Sequence, residues 1–185
     1  AGIAGTGGLG SNVAAALVRS GLGHIVIADY DVVTEANLNR QFFFADQTGQ
    51  RKVDALRENL LRINNLADVE AHACKVTPRN AGSLFGSCDV VIEAFDLAKE
   101  KKWFAEWMIA HFPFKPLIMG SGIAGYGSLE TLRMQRSGNL YICGDQKETE
   151  QKLVPLLAPR VIMVAMMQAD LALELLLKDK PLPEP

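Results

Sequence analysis

Residues near the start of the chain have the types and spacing to bind a phosphorylated nucleotide. Gly5 to Gly10, with the sequence GTGGLG, form a G-x-G-x-x-G loop between a short apolar segment and a helical pattern. Such glycines permit a tight turn and let backbone N–H groups approach a phosphate at the helix N-terminus. Asp29 ends the next apolar segment, where a carboxylate can bind ribose hydroxyls. Together they predict a nucleotide site but do not choose the nucleotide.

A polar segment after Asp29 favours ATP over a dinucleotide. Residues 36–44 read ANLNRQFFF, and the helical pattern that starts near Gln50 contains Lys52 in its first turn. Transfer to the α-phosphorus of ATP needs charge neutralised on the phosphate oxygens and on the departing pyrophosphate, which Arg40, Lys52 and Mg²⁺ can supply. A hydride transfer needs none of these groups. An NAD(P)-dependent oxidoreductase is therefore the second hypothesis, and no Tyr-x-x-x-Lys pattern supports it.

Asp96 is the candidate metal ligand. It follows the apolar strand pattern Val90–Ile92, in a position where a carboxylate could hold Mg²⁺ between phosphates. The alternative is that Asp96 is the N-cap of a helix starting at Leu97, a role that aspartate also serves well. Glu93 is a weaker metal candidate. Because Arg40 and Lys52 already point to a polyphosphate, the metal role of Asp96 is favoured.

Elements with alternating patterns must position these residues. Short apolar runs predict strands at 2–4, 25–28, 69–73, 90–92 and 117–119, and helical spacing predicts helices at 11–20, 50–63, 78–85 and 97–110. This alternation predicts an α/β fold, a Rossmann-like and mostly parallel sheet with helices on both faces. Residues 128–135 and 140–142 predict an antiparallel extension near the C-terminus, and a long apolar helix starts near Arg160. We expect one domain over 1–185, with an N-terminal segment missing.

Composition excludes several classes of protein. The 185 residues are 49% hydrophobic and 22% charged, with a net charge of −2, which gives no reason to expect a nucleic-acid or membrane partner. Three cysteines, Cys74, Cys88 and Cys143, form no C-x-x-C pair, so no zinc is predicted and a cytoplasmic location fits best. Val161–Leu177 is apolar but is interrupted by charged residues, which favours a buried or interface helix over a membrane span.

Five motifs in this order resemble the ThiF/MoeB/ubiquitin-activating family. They are Gly5-Thr6-Gly7-Gly8-Leu9-Gly10, Asp29-x-Asp31, Asn37-Leu38-Asn39-Arg40-Gln41, Gly49-x-x-Lys52 and Ile63-Asn64. The resemblance extends over nearly the whole chain. It implies an adenylyltransferase that uses ATP to adenylate the C-terminal Gly-Gly carboxylate of a small ubiquitin-like protein. Most narrowly it implies a short ThiF type, whose substrate is the sulfur carrier ThiS of thiamine thiazole synthesis.

The resemblance also implies roles for individual residues. Asp29 would bind the ribose, Arg40, Lys52 and Asp96 would support catalysis, and Asp96 would bind Mg²⁺. The implied nucleotide-binding set is Gly5, Gly7, Gly8, Gly10, Asp29, Asp31, Asn37, Arg40, Gln41 and Lys52. Leu97 departs from the family, which commonly has asparagine after the metal-binding aspartate. The chain also lacks the cysteine pairs that bind zinc in many relatives.

Three questions stay open at this point. A nucleotide-binding homologue that has lost its chemistry is a third hypothesis, supported by Leu97 and the missing cysteines. Cys143 is the candidate for sulfur or thioester chemistry, but a cysteine without chemistry at a strand end is the favoured interpretation. The resemblance implies a homodimer, and in some relatives an N-terminal segment supplies an arginine to the partner subunit. Phe42–Phe44 and the helix from Val161 fit either an interface or the core.

Overall fold

A single mixed sheet organises the described part of the chain. The computed structural model describes residues 1–145 and 154–178. The strands are β1 (Gly2–Ala4), β2 (His24–Asp29), β3 (Asp68–Ala73), β4 (Val91–Glu93), β5 (Leu117–Gly120), β6 (Arg133–Ser137) and β7 (Leu140–Gly144), in the order β3-β2-β1-β4-β5-β7-β6. All neighbouring strands are parallel except β6 and β7. The predicted α/β fold with an antiparallel extension is confirmed.

Helices cover both faces of this sheet. They are α1 (Gly8–Arg19), α2 (Lys52–Ile63), α3 (Ala81–Phe85), α4 (Ala98–His111) and α5 (Ala158–Leu177). Successive side chains of a strand point to opposite faces, so Ile25 and Ile27 pack in one core cluster while Val26 and Ala28 pack in the other. The first cluster includes residues of α1, α2 and α5, and the second includes residues of α3 and α4.

Three predicted boundaries were wrong for local reasons. The first strand of the hairpin begins at Arg133, because Ser128 has a left-handed φ of 47° and Leu129–Thr131 form a 3₁₀ turn. Helix α3 begins at Ala81, because the Asn80 side chain accepts hydrogen bonds from the Thr77 backbone and hydroxyl. Helix α1 begins at Gly8, inside the glycine loop itself.

Helix α5 lies against the sheet and α1. Its Val161, Val164, Ala165 and Ala172 are fully buried in the first core cluster. None of the helices in residues 1–145 and 154–178 combines the length and apolar character that crossing a membrane requires. Of the two interpretations of α5, a buried or an interface helix, the buried one accounts for its most apolar side.

The parallel strands place the motifs at one edge of the sheet. β1, β2, β4 and β5 run in the same direction, so Ala4, Asp29, Glu93 and Gly120 all lie at their carboxyl ends. From β1 the chain continues to β2 on one side of that strand, and it later returns to form β4 on the other side of β1. A crevice at such a switch point is the usual ligand site of an open α/β sheet.

Candidate functional site

A cavity of about 780 Å³ opens at the carboxyl edge of the sheet. Its wall has two parts, which we name by their strands. The β1–β2 side consists of Gly5–Gly10, Asp29–Asp31, Asn37–Gln41 and Lys52, and the β4–β5 side consists of Ala94–Lys101 and Gly120–Ala124. Most residues of both sides line the cavity, including the predicted Asp29, Asp31, Asn37, Arg40, Gln41, Lys52 and Asp96. The structure therefore brings the candidate residues of separate motifs to one site.

Glycine is required at two positions of the GTGGLG loop. Gly5 has a φ of +94°, which residues with a Cβ rarely adopt. A Cβ on Gly10 would lie 2.0 Å from the Gly5 carbonyl oxygen, so a side chain there would separate the loop from the first turn of α1. Gly7 and Gly8 line the cavity at the start of α1. The N-terminal N–H groups of this helix therefore face the position where a phosphate would bind.

Asp29 holds the glycine loop in addition to facing the cavity. Its Oδ2 accepts hydrogen bonds from the Thr6 backbone N–H at 2.7 Å and from the Thr6 hydroxyl at 3.1 Å. Its Oδ1 accepts one from the Asp31 backbone N–H at 2.9 Å. Oδ1 can accept one further hydrogen bond, so contact with a ribose is compatible with this role. The second function of Asp29, as a clamp on the loop, was missed by the sequence reasoning.

Lys52 is buried and paired with Asp31. Its Nζ lies 2.9 Å from Asp31 Oδ2, and its side chain is 7% exposed while that of Asp31 is 48% exposed. The backbone reinforces this pairing, because the Lys52 N–H donates to the Asp31 carbonyl. Asp31, the second acidic residue of the Asp29-x-Asp31 motif, thus holds the Lys52 ammonium at the cavity wall. The Asp29-x-Asp31 pattern and Lys52 form one connected unit.

The polar segment around Arg40 is anchored to the first turns of α1. Asn12 Nδ2 donates to the carbonyl oxygens of Gly8 at 2.7 Å and Arg40 at 2.9 Å. The Ser11 hydroxyl accepts a hydrogen bond from the Phe42 N–H at 3.0 Å. Arg40 itself donates through Nη1 to Asn39 Oδ1 and to the Ala36 carbonyl. Ser11 and Asn12 were missed because they fall in what reads as an ordinary helical pattern.

Two buried amides fix the segment from the other side. Gln47 Nε2 donates to Asn59 Oδ1 at 2.9 Å, and Asn59 Nδ2 donates to Gln47 Oε1 and to the Phe42 carbonyl at 3.0 Å each. Phe43 is buried in the core and Phe44 is 48% exposed. The three phenylalanines thus divide between core packing and the surface. Of the two interpretations left open for them, interface or core, the core is correct for Phe43.

Gln41 supplies a polar atom with no partner in this region. It is buried, and its Oε1 makes no hydrogen bond within the described residues. Both Gln41 and Gly7 line the cavity, and Gln41 Nε2 lies 3.7 Å from the position of a Cβ on Gly7. A buried amide with an unpaired oxygen is costly unless a ligand or water completes it. The Gln41 side chain is therefore placed to meet a molecule bound over the glycine loop.

Asp96 stands on the β4–β5 side as an exposed carboxylate on the cavity wall. The alternative that it caps the following helix is wrong, since α4 begins at Ala98, its N-cap is Leu97, and no side-chain cap hydrogen bond forms. No group of three or more histidine, cysteine or acidic residues that could hold a metal exists in residues 1–145 and 154–178. One carboxylate suits Mg²⁺ that is shared with phosphates and waters, and does not suit a dedicated protein cage.

A buried ion pair lies beneath Asp96. Glu93 is fully buried, and its Oε1 and Oε2 each lie 3.0 Å from Lys101 Nζ. Lys101 also donates to the Gly120 carbonyl at 3.1 Å, and Glu93 Oε1 accepts from the Phe95 N–H at 2.6 Å. Burial raises the pKa of Glu93, and Lys101 opposes that rise. Because Lys101 occupies both carboxylate oxygens, the weaker interpretation of Glu93 as a metal ligand is not supported.

The three cysteines differ in their access to the cavity. Cys143 and Cys88 are buried, whereas Cys74 is partly exposed and lines the cavity. Cys74, one residue after the end of β3, packs against the second core cluster and also borders the cavity. Burial raises the pKa of the Cys143 thiol to about 11. A thiol with such a pKa is a poor nucleophile near neutral pH, which agrees with the favoured interpretation of Cys143 as a cysteine without chemistry.

A family model matches the whole chain, and curated relatives match parts of it. The model of the ThiF family matches residues 1–185. The chain is 34% identical over 142 residues to adenylyltransferase and sulfurtransferase MOCS3 of Culex quinquefasciatus, covering 76% of this chain and 32% of that protein. It is 35% identical over 105 residues to ubiquitin-like modifier-activating enzyme 5 of Caenorhabditis briggsae, covering 51% and 24%. The chain spans about a third or less of the length of these relatives.

Solved structures share the fold. E. coli tRNA N6-threonylcarbamoyladenosine dehydratase, TcdA, in complex with ATP has a TM-score of 0.84 at 21% identity, covering 96% of this chain and 85% of that one. E. coli MccB with ATP has a TM-score of 0.75 at 22% identity, covering 98% and 56%. At these identities the likeness establishes the architecture alone. Both of those structures are complexes with ATP.

Proposed function

The chain belongs to the ThiF family, and on that premise we propose that it binds ATP in the cavity and adenylates a carboxylate of a protein partner. The observation that carries the proposal is the convergence of the glycine loop, Asp29, Arg40 and Lys52 on one wall, with Asp96 opposite. A dinucleotide oxidoreductase leaves the cations and Asp96 without a role. The family match favours adenylyl transfer over that alternative.

The cavity suggests how the substrates lie. The ribose would lie at Asp29 and the phosphates over Gly7 and Gly8, because the start of α1 presents N–H groups there. The α-phosphorus would then point toward β4. The acceptor carboxylate would approach along Gly120–Ala124, which form the remaining wall of the same cavity. The order of strands β2, β1, β4 and β5 thus corresponds to ribose, phosphates, metal ligand and acceptor.

The reaction needs no protein nucleophile. An oxygen of the acceptor carboxylate attacks the α-phosphorus, the bond from that phosphorus to the bridging oxygen of the β-phosphate breaks, and pyrophosphate leaves with both bonding electrons. No proton has to move. Arg40 and Lys52 stabilise the negative charge on the phosphates, and Gln41 and the loop N–H groups orient them. Mg²⁺ held at Asp96 would add neutralising charge between the phosphates.

The acceptor is proposed to be the C-terminal Gly-Gly carboxylate of a small ubiquitin-like carrier. Two relatives support this class by name, one as an adenylyltransferase and sulfurtransferase and one as a ubiquitin-like modifier-activating enzyme. The narrower proposal is a ThiS-like sulfur carrier in thiamine thiazole synthesis. Its support is the five-motif resemblance to a short ThiF, and the names of the two relatives mention neither ThiS nor thiamine.

ATP–pyrophosphate exchange tests this proposal. The chain is incubated with Mg²⁺, ATP, labelled pyrophosphate and a panel of ubiquitin-like carriers, among them ThiS, each compared with the same carrier lacking its terminal Gly-Gly. We expect exchange with at least one intact carrier and none with its truncated form. Exchange with none of the carriers, together with unimpaired ATP binding, would indicate the non-catalytic homologue. Tight NAD binding without ATP binding would indicate the oxidoreductase.

The Asp96→Ala variant tests the proposed Mg²⁺ ligand in the same exchange assay. The change removes the exposed carboxylate proposed to hold Mg²⁺, so we expect exchange to fall roughly 10²- to 10³-fold while the fold is retained. Asp46→Ala is the matched control, since Asp46 is also exposed but lies in the 3₁₀ turn Ala45–Gln47, outside the cavity. An Asp96→Ala protein as active as the control would remove Asp96 from the metal role.

We also propose a homodimer. Ile162 and Met166, four residues apart on α5, are 37% and 38% exposed, so part of this apolar helix faces outward. A second copy of the chain would cover that stripe. Sedimentation at micromolar concentration is expected to detect a dimer that Met166→Glu dissociates, whereas a monomer at all concentrations contradicts the proposal.

A further inference from the structure

The Glu93–Lys101 pair connects three separate parts of the β4–β5 side. Glu93 is the last residue of β4, Lys101 lies in the first turns of α4, and Gly120 is the last residue of β5. Lys101 Nζ donates to both Glu93 oxygens and to the Gly120 carbonyl within 3.1 Å. The lysine therefore fixes the end of one strand against the end of the next.

The same carboxylate also fixes the backbone that leads to Asp96. Glu93 Oε1 accepts the Phe95 N–H, so the turn between Glu93 and Asp96 is closed by its own side chain. On the opposite face the Glu93 carbonyl lies 3.4 Å from Gln168 Nε2 of α5, which is fully buried. Lys101 of α4 and Gln168 of α5 thus both contact Glu93, and Lys101 connects it to Gly120 of β5, so these contacts together restrain the start of the loop 94–97.

Stabilisation of the fold does not by itself explain this arrangement. Glu93 is fully buried while the Lys101 side chain is 21% exposed, and an ion pair whose carboxylate has lost its hydration is often no more stabilising than an apolar pair of the same size. The next residue, Lys102, is exposed, and its Nζ lies 3.9 Å from Glu106 Oε1, which is a weak ion pair. The Lys101 ammonium, in contrast, makes three close contacts and also borders the cavity. A role in the geometry of the site accounts for the pair better than stability does.

We propose that Glu93 and Lys101 are positioning residues that hold the Asp96 loop and the Gly120–Ala124 wall at the separation that adenylyl transfer requires. The inference rests on the proposed function, in which these two segments contact the metal-bound phosphates and the acceptor. Neither residue touches the reacting atoms. Their effect is to keep the acceptor carboxylate aligned with the α-phosphorus, an alignment on which transfer rates depend steeply.

Binding of two adenosine ligands tests the pair without knowledge of the partner protein. AMP fills the proposed nucleotide site alone. Glycylglycyl-sulfamoyladenosine, a stable analogue of a Gly-Gly acyl adenylate, also reaches the proposed acceptor wall. The ratio of their dissociation constants reports how well the two segments are aligned, and a general loss of stability weakens both ligands without changing the ratio. Calorimetry gives both constants for each variant.

The variants are Lys101→Met, Lys101→Arg and Lys102→Met. Lys101→Met keeps an unbranched side chain but removes the charge, and we expect the preference for the acyl analogue to fall by roughly 10-fold or more while AMP affinity stays within about threefold. Lys101→Arg restores the charge and should recover the preference. Lys102→Met, which removes an exposed charge one residue away, should change neither constant. If Lys101→Met fails to fold, the double variant Glu93→Gln/Lys101→Met replaces it, since no uncompensated buried charge is left.

The outcomes separate the inference from the function on which it rests. A wild-type protein that prefers the acyl analogue, with Lys101→Met or the double variant keeping that preference, overturns the positioning role and leaves the proposed function intact. A wild-type protein that binds neither ligand, or binds both equally, overturns the proposed function and the inference together. Equal weakening of both ligands in Lys101→Met, without recovery in Lys101→Arg, assigns the pair a structural role only.

Discussion

The two sides of the cavity are held in place by different means. On the β1–β2 side, several separate contacts position the site: Asp29 clamps the glycine loop, Asn12 binds the Arg40 carbonyl, and Lys52 pairs with Asp31. On the β4–β5 side, a single buried ion pair joins β4, α4 and β5. The first side is a rigid cradle that several independent contacts hold in place. On the second side, the side chain of Lys101 links α4 to the ends of both β4 and β5.

This difference fits the proposed division of labour. Phosphates have the same shape in every nucleotide, so N–H groups with fixed geometry bind them well. The acceptor belongs to another molecule and must enter and leave during each cycle. A wall held by one pair of side chains can be positioned closely while the rest of it, Ser121–Ala124, stays partly exposed. The β1–β2 side thus binds, and the β4–β5 side aligns.

The sharpest way to break the β1–β2 side is Gly10→Ala. The added Cβ would lie 2.0 Å from the Gly5 carbonyl oxygen, which is backbone and cannot move without opening the loop. We expect the free energy of unfolding to fall by more than about 3 kcal/mol and ATP binding to be lost. Urea denaturation and calorimetry measure the two effects.

Gly23→Ala is the matched control for that change. Gly23 lies just before β2, has no atom within 4 Å of the position of a Cβ, and is outside the cavity. The free energy of unfolding should stay within about 0.5 kcal/mol of the wild-type value. If Gly10→Ala changes the free energy of unfolding and ATP binding as little as Gly23→Ala does, the glycine loop is not rigid.

The same contrast explains which parts of the site the sequence could predict. The glycine loop, Asp29, Arg40 and Lys52 were found because each lies in a motif whose spacing is local and whose chemistry is specific. Ser11 and Asn12 were missed because a helical pattern conceals two polar residues that turn toward another segment. The Glu93–Lys101 pair was missed because its partners are contributed by β4, α4 and β5, and only the folded sheet brings Gly120 to Lys101.

The fold was predictable for a related reason. Continuous apolar runs such as Ile25–Ala28 result from burial on both faces of the parallel sheet, so they identify the strands without tertiary information. Residues 128–132 were not predictable in this way. Their conformation follows from a left-handed Ser128 and a single 3₁₀ turn, which no hydrophobic pattern encodes.

Asn12→Ala tests the anchoring of the Arg40 segment more gently. The change removes two hydrogen bonds of the β1–β2 side and leaves the Arg40 carbonyl without its donor. We expect about 1–2 kcal/mol less stability and an ATP affinity reduced several-fold, because the segment is loosened and not removed. Asn65→Ala, at an exposed position outside the cavity, is the control and should alter neither quantity. Unchanged ATP affinity in Asn12→Ala would show that Arg40 is held by other contacts.

Cys74 and Cys143 are thiols with different access, and alkylation compares them. Cys74 is partly exposed on the wall near β3, whereas Cys143 is buried beside Gly120 on β7. Burial raises the pKa of both thiols, for Cys143 to about 11, so at pH 8 Cys143 carries roughly two orders of magnitude less thiolate than an ordinary cysteine. With iodoacetamide and peptide mass spectrometry, we expect Cys74 to react first and ATP to slow it several-fold.

The pH dependence of the same experiment isolates Cys143. Its protonated form stabilises the fold fully below the ordinary thiol pKa, and this contribution is lost as pH rises through about 11. Labelling of Cys143 in the folded protein should therefore stay slow at pH 8 and increase up to about pH 11. Cys143→Ser identifies its peptide. Rapid labelling of Cys143 at pH 7 would mean an accessible thiolate beside the acceptor wall, and would reopen sulfur or thioester chemistry on the β4–β5 side.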